Sequence, residues 1–176
     1  AGRAMWYRNR YVASPSGQTP NTSVIGHAGK TLAIVESGGL PVELDYELTS
    51  VNDDMKMGGG FTAHPQLDPD TGELHAICYD WATLRDHVRY VVIDAAGALK
   101  SETKIELPGM TMIHNMSITQ HYAVISDFPV TLSFLALGTG SSFPFRWNDE
   151  YEARIGLLPR LGDDRDIIWS SVKPNY

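Results

Sequence analysis

Residues 69–99 read PDTGELHAICYDWATLRDHVRYVVIDAAGAL, and this stretch decides the fold. Its two apolar runs, Leu74 to Tyr79 and His87 to Ile93, are rich in β-branched and aromatic residues and predict strands. Turn residues stand before the first run at Asp70-Thr71-Gly72 and after the second at Ala95-Ala96-Gly97, where glycine supplies the positive φ of a tight turn. Consecutive antiparallel strands of this kind make one small, blade-like sheet.

Similar strand-like runs lie on both sides of this unit, at Ser23 to Ile25, Thr31 to Val35, Thr103 to Leu107, Ser117 to Thr119, Tyr122 to Ser126 and Thr131 to Leu137. No amphipathic helix is predicted. His64 and His114 each open a strand group, and their spacing (114 − 64 = 50) is close to the repeat of propeller blades, about 40 to 50 residues. The predicted fold class is all-β, with about three blades.

Three blades alone would leave open faces and strand edges. The chain also starts with Ala1 rather than Met and stops at Tyr176 while a strand-like pattern is under way. We therefore expect residues 1–176 to be part of a single propeller domain that is truncated at both ends.

The composition excludes several classes of function. With 14 Lys and Arg against 21 Asp and Glu, the formal net charge is −7, which disfavours nucleic acid as a partner. Cys78 is the single cysteine, so an internal disulfide is impossible and a reducing, cytoplasmic location is predicted. No apolar run approaches the roughly 18 residues of a membrane span, so membrane contact is expected to be peripheral only. The sequence has neither a Gly-x-Ser-x-Gly nucleophile elbow nor a phosphate-binding loop.

Histidines are the candidate metal ligands, because a neutral imidazole is a common ligand of iron, zinc and copper. Most histidines bind no metal, so the context has to separate them. His64 lies between Gly58-Gly59-Gly60 and Pro65, which permit close backbone approach and restrict His64 to extended geometry. His114 starts a strand of the next predicted blade. If successive blades surround an axis, these two side chains converge.

Two stretches carry a family resemblance. Phe61-Thr62-Ala63-His64-Pro65, followed by Asp68 to Leu74, resembles the first metal-histidine motif of the carotenoid cleavage oxygenases. Met112 to Tyr122 resembles the second such motif, except that Asn115 stands where an aspartate usually follows the histidine. The opening Trp6 to Val12, Asn21 to Glu36, and the segments from Phe145 to Arg160 also resemble family signatures, in the right order.

The resemblance implies a seven-bladed β-propeller with iron(II) on its axis, held by four histidines and supported by glutamates. His64 and His114 match the first two ligands, and Glu36 matches the first of the glutamates, which accept the other ring N–H of a ligand histidine. The third and fourth ligands have no match in this chain. The remaining histidines match no ligand position: His27, His75, His87 and His121. We expect the 176-residue chain by itself to be inactive.

The implied reaction is oxidative cleavage of a conjugated C=C bond by O2 into two carbonyl products. Val35 precedes Glu36, whereas stilbene-cleaving members typically carry a lysine there, and this favours a carotenoid or apocarotenoid substrate. The alternatives left open are a stilbenoid-cleaving dioxygenase, a retinoid isomerase of the same fold, and a non-catalytic propeller that binds an apolar ligand. Phe128-Pro129 and Phe143-Pro144-Phe145 are candidates for a tunnel or its rim.

Overall fold

The structure, a computed structural model, describes residues 20–36, 38–52, 60–80, 86–141, 143–160 and 162–173. The opening signature from Trp6 to Val12 and the glycines Gly58 and Gly59 lie outside the described residues. Within them, three four-stranded antiparallel sheets follow one another along the chain.

The first sheet, blade 1, contains β1 (Ser23–His27), β2 (Lys30–Ile34), β3 (Val42–Leu44) and β4 (Ser50–Asn52) in that spatial order. Blade 2 contains β5 (Gln66–Leu67), β6 (Leu74–Cys78), β7 (His87–Ile93) and β8 (Leu99–Glu106), again in chain order. Blade 3 begins with β9 (Met116–Ile118) and β10 (Tyr122–Asp127). An excursion follows, made of β11 (Val130–Leu132), the short helix α1 (Phe134–Gly138) and β12 (Phe145–Trp147). The chain then completes blade 3 with β13 (Arg154–Pro159) and β14 (Ile168–Ser171).

The turn between β1 and β2 shows how local sequence fixes strand register. His27 pairs with Lys30, which leaves Ala28 and Gly29 as a two-residue loop. Both have positive φ, 51° and 73°, as a tight hairpin turn that follows the strand twist requires. Glycine adopts this conformation at little cost, and Ala28 is one of two described non-glycine residues that do so.

The core lies between the blades, because blade 2 buries both of its faces. Along β7, alternate side chains point to opposite sides of the sheet: Val88, Tyr90 and Val92 pack towards blade 3, and Val91 and Ile93 towards blade 1. The cluster with blade 3 also contains Ile77, Ile105, Ile113, Ile125, Phe145 and Leu158, and the one with blade 1 contains Leu32, Ile34, Phe61, Ala76 and Cys78. Burial raises the pKa of the Cys78 thiol to about 12, so this cysteine is an inert core residue. Three up-and-down sheets packed face to face are consecutive blades of a partial β-propeller, which confirms the predicted fold class.

One predicted strand is wrong over most of its length. The run Thr131 to Leu137 is a strand only as far as Leu132, and α1 follows it, although no helix was predicted. Ser133 caps this helix: its hydroxyl accepts a hydrogen bond from Ala136 N at 3.2 Å. Leucine and alanine favour helix once such a cap is present. An apolar run by itself does not distinguish the two structures.

No helix among the described residues is long and apolar enough to cross a lipid bilayer.

Candidate metal centre

His64 and His114 lie side by side. Their ring centroids are 4.5 Å apart, and the ring planes are inclined by 59°. Each histidine stands just before an edge strand, His64 before β5 of blade 2 and His114 before β9 of blade 3. Because β5 and β9 contact each other across the blade interface, the two histidines meet at the same end of the two strands. The structure thus brings together the two histidines that the sequence selected.

The backbone before His64 is held tightly against blade 1. A Cβ added to Gly60 would lie 2.4 Å from the Cα of Gly38, so only glycine fits at this approach. Phe61 N donates to Gly39 O at 2.8 Å, and Arg89 donates to Gly60 O. This packing fixes the segment that carries His64 next to the loop that carries Glu36.

Glu36 contacts His114, one of the two paired histidines. The Glu36 Oε1 oxygen is 2.6 Å from His114 Nδ1. A carboxylate only accepts hydrogen bonds, so Nδ1 carries a proton, and Nε2 is the nitrogen whose lone pair is available when the ring is neutral. The Glu36 side chain is 19% exposed and that of His114 is 54% exposed, so the pair opens to solvent on the histidine side.

A buried nitrogen of His64 is unpaired among the described residues. Its Nε2 atom is inaccessible to solvent and makes no hydrogen bond within that part of the chain, which is unusual for a buried polar atom. Two imidazoles that bind one metal ion at adjacent positions, with metal–nitrogen bonds of about 2.1 Å, have ring centroids roughly 4.5 to 5.5 Å apart. The spacing of His64 and His114, the unpartnered Nε2 and the tautomer fixed by Glu36 therefore fit a metal ion.

The described residues supply only part of a metal site. They contain no group of three or more His, Cys, Asp or Glu side chains placed to hold one ion, whereas protein metal sites generally use three or four ligands.

The other four histidines stand apart from this pair. His27 is buried, and its Nε2 contacts Asp94 O at 2.9 Å. His75 is buried and contacts Tyr90 and Arg160. His87 Nδ1 lies 3.7 Å from Asp86, and His121 is exposed in the β9–β10 turn.

Two polar residues near the site were not assigned roles from the sequence. Gln66 Nε2 donates to His64 O at 3.4 Å and to Asn115 Oδ1 at 3.3 Å, which links the two histidine-bearing segments. Asn115 Oδ1 also accepts from Met116 N at 2.7 Å. The position of Asn115 was noted as a departure from the family motif, but its pairing with Gln66, 49 positions earlier, has no local signal.

Consecutive four-stranded antiparallel blades define the class of protein as a β-propeller. The family model described as "Retinal pigment epithelial membrane protein" matches residues 1–176. The chain belongs to this family, that of the carotenoid cleavage oxygenases.

Individual relatives agree with this assignment. A carotenoid cleavage oxygenase of Mycobacterium tuberculosis is 35% identical over 99% of this chain and 47% of its own length. An isoeugenol monooxygenase of Pseudomonas putida is 31% identical over 93% of the chain and 36% of its own length. Among solved structures, a lignostilbene dioxygenase of Pseudomonas brassicacearum superposes with a TM-score of 0.76 and 30% identity, covering 94% of this chain and 36% of that one. The chain thus spans half or less of the length of these relatives.

Proposed function

We propose that this chain is part of a non-haem iron(II) dioxygenase that cleaves a conjugated C=C bond of a carotenoid or apocarotenoid with O2, giving two carbonyl products. The observation that carries the proposal is the contact of His64 with His114, with Glu36 holding Nδ1 of His114. Family membership supports oxygenative cleavage as the reaction class. Residues 1–176 are taken as part of one propeller domain, and the remaining metal ligands as residues outside this chain.

His64 and His114 would hold the metal through their Nε2 atoms. When bound, iron(II) supplies a redox-active centre at which O2 is activated for the oxygenation of an alkene. Glu36 keeps the proton on Nδ1 of His114, so the lone pair stays on Nε2 and the ring keeps its orientation. His64 presents its Nε2 from a position that is inaccessible to solvent.

The experiment that tests the metal assignment measures iron per chain by elemental analysis in the protein expressed from its complete reading frame. We expect close to one iron per chain, and loss of the iron in His64→Ala. The matched control is His121→Ala, since His121 is an exposed histidine away from the pair. A protein that carries no iron would refute the proposal and leave the alternative of a propeller that binds an apolar ligand without turnover.

The substrate class needs its own assay. Val35, which precedes Glu36, has no group that could hydrogen-bond to a substrate phenol, and this supports an apolar polyene as substrate. A stilbenoid is the second candidate, because a lignostilbene dioxygenase is among the similar solved structures. Incubation with an apocarotenoid and with a hydroxylated stilbene under 18O2 separates the candidates: we expect two labelled carbonyl products from the polyene. Labelled aryl aldehydes from the stilbene alone would reverse the choice, and a rearranged polyene without label would identify an isomerase.

We further propose that the β11–β12 excursion makes peripheral contact with a membrane, from which an apolar substrate is taken. Its apolar side chains are unusually exposed: Phe134 59%, Leu135 79% and Phe143 51%. In flotation with phosphatidylcholine vesicles, Leu135→Ser should reduce binding. Tyr46→Ser, at a residue that is 97% exposed on blade 1, should not. Equal loss in both variants, or no binding by the unmodified protein, would refute this contact.

A further inference from the structure

Arg160 joins blade 2 to blade 3 at the end of the interface opposite the histidine pair. It follows β13, and its backbone N–H donates to His121 O at 3.0 Å. Its guanidinium donates hydrogen bonds to both blades. Nη1 donates to the carbonyl oxygens of Thr119 and Gln120 in the β9–β10 turn, both at 3.3 Å. Nη2 donates to the Asp68 carboxylate and to His75 Nε2, the latter at 2.9 Å, both in blade 2.

The partners of Arg160 are buried and fully engaged. Asp68 is 4% exposed and His75 is 1% exposed. The Arg160 guanidinium beside Asp68 holds the pKa of that carboxyl well below its usual range, with help from the backbone N–H of Asp70. Asp68 is thus an ionised carboxylate whose principal charge partner comes from the neighbouring blade. A buried charge of this kind strongly favours the arrangement that keeps its partner in place.

The interface is open to either side of Arg160. Clefts of about 440 and 670 Å³ lie beside it, the first bordered by Lys100 and His121 and the second by Pro69 and Ile118. The side chain of Arg160 crosses the space between the β5–β6 turn and the β9–β10 turn and hydrogen-bonds to both.

The two turns belong to the strands that carry the metal-binding candidates. Asp68 lies four residues after His64, and Thr119 lies five residues after His114, with β5 and β9 between them. At about 3.3 Å per residue, these connections span at most roughly 13 and 17 Å. The placement of β5 relative to β9 at the Arg160 end is therefore transmitted over a short distance to the two histidines, where the Gln66–Asn115 hydrogen bond adds a second link.

We propose that Arg160 is a positioning residue that sets the separation of His64 and His114 by clamping the β5–β6 turn to the β9–β10 turn. The inference rests on the proposed function only in that the histidine pair is taken as the metal site. The clamp itself is a property of the metal-free protein.

The test compares Arg160→Gln with a control in the same blade, Arg154→Gln. Arg154 also pairs with a buried carboxylate, since its Nε donates to Asp127 at 2.8 Å, but these two residues face each other within blade 3. Arg160→Lys is the milder variant. The lysine keeps a positive charge for Asp68 but lacks the forked guanidinium that hydrogen-bonds to both blades at once. All variants are made in the protein from its complete reading frame.

Two readouts are needed. The first is the nuclear Overhauser effect between the His64 and His114 rings in metal-free, histidine-labelled protein. The second is cobalt(II) affinity, followed by visible absorption. We expect Arg160→Gln to lose the ring contact and to bind cobalt at least about tenfold more weakly. Arg160→Lys should fall between it and the unmodified protein, and Arg154→Gln should match the unmodified protein in both readouts.

Retention of the ring contact and of cobalt affinity in folded Arg160→Gln would overturn the proposal. Should that variant fail to fold, Arg160→Lys decides: an unchanged ring contact and affinity in it would overturn the proposal equally. If the ring contact depends on Arg160 and the unmodified protein binds no cobalt, the clamp stands and the proposed metal function fails.

Discussion

His114 and His75 are two histidines whose hydrogen bonds differ. At His114 one nitrogen is bound to Glu36, the other has no partner among the residues that the structure describes, and the side chain is 54% exposed. At His75 both nitrogens have partners and the residue is 1% exposed. Since a guanidinium only donates, His75 Nε2 accepts from Arg160, and Nδ1–H donates to the hydroxyl of Tyr90 at 2.6 Å.

The difference distinguishes the proposed ligand histidine, His114, from the structural histidine, His75. A carboxylate on one nitrogen orients the ring and leaves the other lone pair available to a metal. When both nitrogens are satisfied inside the core, no donor is left, and the ring contributes only to packing and to the hydrogen-bond network.

Exchange of each histidine for alanine should affect different properties. His114→Ala should abolish tight metal binding and change the free energy of unfolding of the metal-free protein by less than about 1 kcal/mol, because the ring is half exposed. His75→Ala should lower that free energy by about 3 kcal/mol, because it leaves a cavity and removes a partner from Tyr90 and Arg160. Urea unfolding and cobalt titration measure the two properties. Loss of cobalt binding in a folded His75→Ala protein, with binding kept in His114→Ala, would contradict the distinction.

Glu36 should matter to the metal more than an ordinary carboxylate of the same blade. We expect Glu36→Ala to weaken cobalt binding by about 10- to 100-fold, because the ring of His114 loses its fixed tautomer and orientation. Glu36→Gln should lose less, since its amide oxygen still accepts from Nδ1.

The matched control is Glu43→Ala. Glu43 pairs with Lys30 at 2.7 Å in blade 1, and its side chain is 20% exposed, against 19% for Glu36. Cobalt affinity should be unchanged in this variant. An equal loss in both variants would mean that Glu36 acts through general stability or net charge instead of through His114.

The buried histidine should make folding sensitive to acid. Burial lowers the pKa of His75 below 6.5, as do the positive charges of Arg160 and Lys100, while Glu73 and Asp68 oppose this effect. The unfolded chain takes up a proton near pH 6.5 and the folded protein does not, so acid favours unfolding. The contribution of His75 to the free energy of unfolding is complete above about pH 6.5. It is lost as the pH falls through the lowered pKa of His75 in the folded protein.

This dependence can be isolated by comparing metal-free unmodified protein with His75→Gln in urea unfolding between pH 7.5 and 5. The unmodified protein should lose stability more steeply, by at most about 1.4 kcal/mol per pH unit for one proton. Asp68 is present in both proteins and its contribution cancels. Parallel curves would show that His75 does not titrate between the folded and unfolded states in this range.

The sequence predicted most of the strands and the histidine pair, for two different reasons. Strands such as β6 and β7 have apolar, β-branched runs between turn residues, and these signals are local. His64, His114 and Glu36 were selected by their resemblance to family motifs. From composition alone, His64 and buried His75 looked alike. What distinguishes the two histidines is which hydrogen-bond partners the packing of the blades brings to each ring.

Two features could not be predicted, because each depends on tertiary structure. Helix α1 has only five residues, too few for a periodic signal, and its cap Ser133 lies inside an apolar run. The ion pair of Asp68 with Arg160 joins residues 92 positions apart. Both residues belong to segments that resemble the family, but nothing in either segment indicates that blades 2 and 3 bring them together.

Replacement of Asn115 by aspartate, the usual family residue, should have the smallest effect. Asn115 Oδ1 accepts from Met116 N and from Gln66 Nε2, and a carboxylate oxygen accepts both bonds equally well. Asn115 is exposed, so the added charge is screened by solvent. We expect Asn115→Asp to change cobalt affinity less than about threefold and the free energy of unfolding by less than about 0.5 kcal/mol. Asn115→Leu removes the acceptor and should lose more affinity. If Asn115→Asp instead weakened cobalt binding as strongly as Glu36→Ala, the neutral amide would be a requirement of this site, and its difference from the family motif would be functional.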